Sequence, residues 1–299
     1  MRVCAVDVGT NTVVSVVADV ADGRLEVLAD EERFARLGQG VDASGRLAED
    51  AMRRVLDRLA GALGTAETWG AERVVIGATS ASRDAANVGE LQARVREAFG
   101  VEYRVLSGAQ EAEASFRGAL AMRPDLDRAL VVDIGGGSTE CALGTRADGV
   151  TDRQSVDVGS VRLTERHFPV RPPRAEAVEA AVRDAGAAYG AVAVERGDAP
   201  LVATGSVGRL VARLVGADDA VPAAAVRQWR DRLLALAPAD ALAVAPDVLA
   251  GREDIAATAL LLLDAALARF DADAYLPTAG GLRHGLALAQ AEQPVEGAR

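Results

Sequence analysis

At 299 residues the chain has room for one large domain or two of ordinary size, and two is the expectation. Half of it is apolar but only 3% is aromatic, so the core has to be packed from Ala, Val and Leu. Lys and Arg number 33 against 44 Asp and Glu, and the resulting net charge of −11 disfavours general affinity for nucleic acid or anionic membrane. An anionic ligand would then need a local basic pocket, backbone N–H donors or a divalent cation.

No uninterrupted apolar run reaches the length of a membrane span, and Asp7 breaks the N-terminal segment where a signal peptide needs continuous hydrophobicity, so a cytoplasmic location is expected. Cys4 and Cys141 lie in apolar strand-like runs and read as core packers. Residues 3–35 read as three strands with turns at Gly9-Thr10-Asn11 and Asp22-Gly23. Apolar spacing predicts a helix over Asp42–Leu63 with Ser44 as its cap, a strand over Glu72–Gly77, a helix over Val88–Phe99, a short strand over Tyr103–Leu106 and a helix over Ala109–Met122. This alternation points to an α/β fold. A strand over Ala129–Ile134 opens the second half, which beyond Val158 is mainly helical: Pro173–Arg196, Val207–Leu214, Ala223–Leu236 and Ile255–Phe270, interrupted by a strand at Pro200–Ala203. Leu260–Leu263 is apolar on all sides and reads as part of a core helix. A last helix begins at Gly280, and the tail from Glu292 to Arg299 reads as frayed.

The two halves open alike. VDVGTNT at Val6–Thr12 lies over VDIGGGS at Val132–Ser138, with 126 residues between equivalent positions. Each is an apolar strand ending in Asp, an apolar residue, Gly, a two-residue turn and a hydroxyl residue. Such a repeat implies duplicated lobes facing each other across a cleft. Gly9, Thr10 and Asn11, and likewise Gly135, Gly136, Gly137 and Ser138, form turns whose backbone N–H groups can surround a phosphate; the alternative for each is a plain hairpin turn. Asp7 and Asp133 end their strands at these turns, where carboxylates can hold Mg²⁺ directly or through water, and Glu140 follows on the outgoing strand. Thr204-Gly205-Ser206 is a third Gly-hydroxyl turn, between a strand and a helix N-terminus, and competes with a simple strand-to-helix connection. Arg83 in GATSASRDAAN has the fork geometry for phosphate oxygens, against the alternative of a solvated loop Arg. Glu111, like Glu113, sits early in a helix capped by Ser107, a position the helix dipole favours in any case. His167 and His284 accompany no Gly-x-Ser-x-Gly elbow, and no Cys or His cluster suggests zinc.

Taken together, VDVGTNT, ATSASRDAAN, SGAQEAEASF, VVDIGGGSTE, VGSVRLTERHF and the late AGGLRHG resemble the exopolyphosphatase and guanosine pentaphosphate phosphohydrolase family, from residue 3 to about 290. The resemblance implies two duplicated ribonuclease H-like lobes of the superfamily of actin, sugar kinases and heat-shock chaperone ATPases: residues 1–123, joined by about 280–299, and residues 124–279. It makes Glu111 the carboxylate that positions or deprotonates the attacking water, and Arg83 the grip on the terminal phosphate. Asp133 and Glu140, supported by Asp7, would hold Mg²⁺ or Mn²⁺, and the Gly9–Asn11, Gly135–Ser138 and Gly205-Ser206 turns would cradle phosphates. The implied substrate is polyphosphate or guanosine pentaphosphate, a choice left open here, and the implied assembly is a homodimer. Four positions depart from the family pattern: Gln110-Glu111-Ala112-Glu113, Thr258-Ala259, Ser206 and His284. The length also suggests that the further helical domains of longer members are missing, favouring short chains or a nucleotide. A small-molecule kinase of the same superfamily and a phosphate sensor without turnover are the competing readings.

Overall fold

The computed structural model describes residues 1–217 and 219–293. The chain divides into two compact units, one of Met1–Pro124 together with the segment from Gly280 onward, the other of Asp125–Ala279.

Unit 1 opens with β1 (Arg2–Val8), β2 (Thr12–Ala21) and β3 (Arg24–Phe34), followed by α1 (Val41–Ser44), α2 (Glu49–Thr68), β4 (Arg73–Ala78), α3 (Ser80–Asp84), α4 (Val88–Phe99), β5 (Tyr103–Val105) and α5 (Gly108–Ala121). The sheet order is β3-β2-β1-β4-β5: the first three strands form an antiparallel meander, and β4 and β5 run parallel to β1. Because β1 is central, both of its faces are buried. Cys4, Val6 and Val8 pack with Met52, Val55 and Leu59 of α2, while Val3 and Ala5 pack on the opposite face. A strand covered on both sides needs an unbroken apolar run, which RVCAVDV supplies.

Unit 2 repeats the plan with β6 (Arg128–Ile134), β7 (Thr139–Thr145), β8 (Gly149–Val156), α6 (Ser160–His167), α7 (Ala175–Gly190), β9 (Leu201–Thr204), α8 (Gly205–Val215), β10 (Val221–Pro222), α9 (Ala223–Leu234), α10 (Pro238–Val244), α11 (Pro246–Leu249), α12 (Ala256–Arg269) and β11 (Ala274–Pro277). Its order, β10-β11-β9-β6-β7-β8, again sets an antiparallel meander beside two strands, β9 and β11, parallel to its first member, with the two-residue β10 antiparallel at the edge. The α/β architecture of two duplicated ribonuclease H-like lobes, expected from the repeat and the resemblance, is therefore the one present. Leu260–Leu263 of α12 are all buried in the unit 2 core, and among the described residues no helix is long and apolar enough to cross a membrane.

The chain returns to unit 1 with α13 (Leu282–Glu292), which lies across α5 at very short range. A methyl group added at Gly118 would stand 2.0 Å from the Gly281 carbonyl oxygen, and one at Gly285 would stand 1.9 Å from that of Ala114. Gly280 and Gly285 of AGGLRHG thus have a packing reason: two helix backbones meet where no Cβ fits. Arg283, 5% exposed, secures the same helix by a bidentate pair to Asp30 of β3, with contacts of 2.9 and 2.7 Å.

Several boundaries differ from the sequence reading. Ser44 does not cap a long helix; it closes the single turn of α1, Gly45 takes a left-handed conformation, and α2 starts afresh at Glu49. The helix read over Pro173–Arg196 ends at Gly190, and α6, α10, α11, β10 and β11 were not read, since four-residue segments such as Ala274–Pro277 carry too few positions to show a period. The tail read as frayed lies, from residue 294 on, outside the described residues.

Gly285→Ala is expected to cost unit 1 about 1–3 kcal/mol by overpacking. With Trp69 in unit 1 and Trp229 in unit 2 as the two tryptophans, denaturation followed in a Trp229→Phe background reports unit 1, and an unchanged midpoint there would contradict the close crossing.

Candidate functional site

In unit 2 the chemistry-bearing side chains fall on one row of the sheet. Asp133 on β6 is paired in register with Glu140 on β7 and with Thr204 on β9, and Glu140 is paired with Ser155 on β8. Residues opposite one another on adjacent strands project to the same face, with Cβ atoms about 5 Å apart. Thr204, Asp133, Glu140 and Ser155 therefore form a polar row across four strands. Glu140 is only 2% exposed and its Oε1 accepts a 2.7 Å bond from the Ser155 hydroxyl, the kind of partner a buried carboxylate requires. At the end of the row, a Cβ at Gly205 would come within 3.1 Å of Asp133 Oδ1, and Gly205 has φ +71°, so this first position of α8 takes glycine both for its backbone angle and for the approach of the aspartate.

The turn joining β6 to β7 is a two-residue hairpin loop, Gly136-Gly137, closed by a 2.9 Å bond from the Gly135 N–H to the Ser138 carbonyl. Its carbonyls point backwards into the first turn of α6. Gly135 O accepts from the Ser160 N–H, Gly136 O from those of Val161 and Arg162, and Gly137 O from Arg162 Nε at 2.7 Å. The helix thereby satisfies donors that an N-terminus otherwise leaves open, and the loop spends all three carbonyls on that side. Among the described residues, the N–H groups of Gly136 and Gly137 enter no hydrogen bond. Gly159 lets helix and loop approach: a Cβ there would fall 2.4 Å from the Gly136 carbonyl carbon.

Unit 1 builds its twin with different material. The Gly9 N–H donates to the Thr12 carbonyl at 2.8 Å, closing the loop Thr10-Asn11. Here the bracing donors come from the segment after β3: Ala35 and Arg36 bond to Asn11 O and Gly38 to Thr10 O. The N–H groups of Thr10 and Asn11, like their counterparts, enter no hydrogen bond among the described residues. Both segments are tight hairpin turns with braced carbonyls, a geometry that is also compatible with the phosphate-loop expectation. Asp7 occupies the position of Asp133, but its neighbours in register are Val14 and Gly77 rather than a second acid and a hydroxyl.

Arg83 and Glu111 meet within unit 1. Arg83 lies on the one-turn helix α3 rather than in a loop, and its Nη1 donates to the Leu106 carbonyl at 2.9 Å and to Glu111 Oε2 at 3.0 Å. Glu111 is 6% exposed, so its place in the first turn of α5 does more than serve the dipole. Ser107 and Gln110 form a reciprocal capping box that fixes this turn, which gives the departure at Gln110 a structural role. Glu113, two residues on and so on the opposite side of the helix, is exposed. Ser206 follows Gly205 in the first turn of α8, and Thr258 bonds to Thr164 of α6 at 2.6 Å. Burial pushes the Cys4 thiol up to about 12 and raises that of Cys141 further, so both stay neutral core groups, as read.

The sequence reading did not find Ser155, Thr204 as a member of the polar row, or the bracing role of VGSVRLTER. A symmetric hairpin closed by Thr145 and Gly149 would set Glu140 opposite Gln154, but a register shift between Leu143 and Gly144 moves the pairing to Ser155.

Comparison with known proteins bears on both units. The sequence model of the Ppx/GppA phosphatase family matches residues 16–293. Exopolyphosphatase 2 of Mycobacterium tuberculosis is 42% identical over 195 residues, 61% of this chain and 60% of that protein. A guanosine-5'-triphosphate,3'-diphosphate pyrophosphatase of Vibrio cholerae is 36% identical over 169 residues, 56% of this chain and 33% of the relative. The matched segments thus span less than two thirds of the first of these relatives and a third of the second. Among solved structures, an exopolyphosphatase-like protein superposes with TM-score 0.86 at 27% identity over 97% of both chains. The Aquifex aeolicus PPX-GPPA enzyme does so with TM-score 0.79 at 25% identity over 97% of this chain and 99% of that one.

Gly159→Ala is expected to displace the Gly135–Ser138 turn and to weaken tripolyphosphate binding at least tenfold, roughly the worth of one charge-assisted hydrogen bond. Titration calorimetry on a variant of unchanged circular dichroism checks this; unaltered affinity would remove the turn from the site.

Proposed function

Because the chain belongs to the Ppx/GppA phosphatase family, we propose that it is a phosphoanhydride hydrolase releasing terminal orthophosphate from polyphosphate, or converting guanosine pentaphosphate to tetraphosphate. The observation that carries the reading is the pair of braced turns. Each presents two consecutive backbone N–H groups on a turn whose loop carbonyls are tied down behind, an array of donors for phosphate oxygens in a chain whose net charge otherwise repels them. The Gly205-Ser206 turn adds the N-terminus of α8 beside Asp133.

Hydrolysis of a phosphoanhydride asks the protein for positioning and charge neutralisation more than for covalent chemistry. In this proposal Glu111 orients the attacking water and accepts its proton. Arg83, paired to Glu111 at 3.0 Å and held to the Leu106 carbonyl, fixes that carboxylate and brings a guanidinium to the terminal phosphate. Asp133 and Glu140, adjacent in register with Thr204 beside them, suit a Mg²⁺ or Mn²⁺ ion. Such an ion is commonly held by one or two carboxylates, water and the substrate's own phosphates rather than by an all-protein cage. The donor set fits that mode, two carboxylates paired in register with the second of them buried. When bound, the cation supplies charge neutralisation on the phosphates. Asp7 is proposed as a supporting group, and Ser155 as the hydroxyl that keeps Glu140 in its rotamer.

Phosphate release from polyphosphate of defined lengths and from guanosine pentaphosphate, with Mg²⁺, tests the proposal. Glu111→Ala is expected to lower release by about 10² to 10⁴ with substrate binding retained. A wild-type protein that binds these compounds and releases nothing would instead be a sensor, and consumption of ATP only with an added acceptor would make it a kinase.

A further inference from the structure

Unit 2 holds a second basic feature that the reaction as proposed does not use. α8 starts at Gly205, against Asp133, and Arg209 and Arg213 follow at the fourth and eighth positions after it. Residues four apart share a helix face, so both arginines lie on the side of α8 that Gly205 turns to Asp133, about 6 and 12 Å further along the axis. Beside them, wholly within unit 2, is an open pocket of about 300 Å³ lined by Arg209, Ala212, Arg213 and Gly216 of α8 and its end and by Thr278 and Ala279 after β11. Among the described residues its lining holds two guanidinium groups, no carboxylate and no aromatic ring. In a chain of net charge −11 this is a local reversal of sign, the condition an anionic ligand needs here. Arg213 is anchored by a 2.7 Å bond from Nη2 to the Asp247 carbonyl, so its fork is held in place before any ligand arrives.

We propose that this pocket is a distal phosphate subsite. It takes the phosphates beyond the anhydride being cleaved, and α8 is the track along which the substrate runs from Asp133 to Arg209 and Arg213. The inference rests on the hydrolase reading for the direction of that track. Two guanidinium groups on successive helical turns suit a run of phosphates, and a lining without an aromatic ring among the described residues offers a base no stacking platform there. The phosphates come either from a continuing polyphosphate chain or from the 3′-diphosphate of guanosine pentaphosphate, and both present the same chemistry to the pocket.

The test is binding by calorimetry with Mg²⁺, comparing long-chain polyphosphate with tripolyphosphate and guanosine pentaphosphate with GTP, for the wild type, Arg209→Gln and Arg213→Gln. Arg213→Lys is added because loss of the Asp247 contact in Arg213→Gln can disturb packing. The expected result is a fall of about tenfold in the preference for the longer or 3′-phosphorylated ligand, for at least one of the two pairs. Loss in the polyphosphate pair alone names the continuing chain as occupant; loss in the nucleotide pair alone names the 3′-diphosphate. Both preferences unchanged in all three variants would overturn the subsite. Because the readout is binding, it decides this question even if phosphate-release assays reject the hydrolase.

Discussion

The candidate site depends on where the carbonyls of two short turns point. In the Gly136-Gly137 loop every carbonyl from Gly135 to Gly137 is taken by the first turn of α6 or by Arg162, and in the Thr10-Asn11 loop the carbonyls are taken by the segment at Ala35–Gly38. A peptide unit whose oxygen is fixed on one side has its N–H fixed on the other. The amides of Gly136 and Gly137, and that of Asn11 in the unit 1 loop, are thereby aimed before any ligand is present, so an anion meeting them would find little left to order. Glycine at 159 allows the helix to come close enough to do this in unit 2, and the GSVRLTER segment is explained as a brace that touches the loop from behind.

The two units share a plan but not a chemistry. The strand, the terminal aspartate, the closing glycine and the outward amides recur, while the position in register with the aspartate is Glu140 in unit 2 and Val14 in unit 1. Unit 1 carries instead the Arg83–Glu111 pair, on elements that follow β4 and β5. One lobe thus sets two carboxylates side by side and the other pairs a carboxylate with a guanidinium, a division that the repeat alone would not suggest.

Much of this was legible in the amino-acid order because it is local. The meander that opens each half, the Asp-x-Gly turns and helices such as Val88–Phe99 follow from short-range patterns of apolar residues and glycine. The candidate residues Asp133, Glu140, Gly205 and Ser206 do fall together in unit 2, and Arg83 and Glu111 in unit 1. What was not legible depends on contacts between distant segments. Ser155 meets Glu140 only because a bulge shifts the β7–β8 register, and Arg83 sits on a helix of five residues that no periodicity could reveal. The glycines of the last helix looked like part of a functional motif, yet their demonstrable role is to let α13 cross α5, a fact of packing with no counterpart in local sequence.

The central claim is that the outward amides of these loops receive phosphate. Amide resonances of the ¹⁵N-labelled protein, followed during titration with tripolyphosphate and Mg²⁺, test it most directly. The account expects the largest shifts at Gly136, Gly137, Thr10 and Asn11, with Gly118 and Gly285 at the helix crossing unmoved; saturable binding that leaves the four loop amides in place would contradict it.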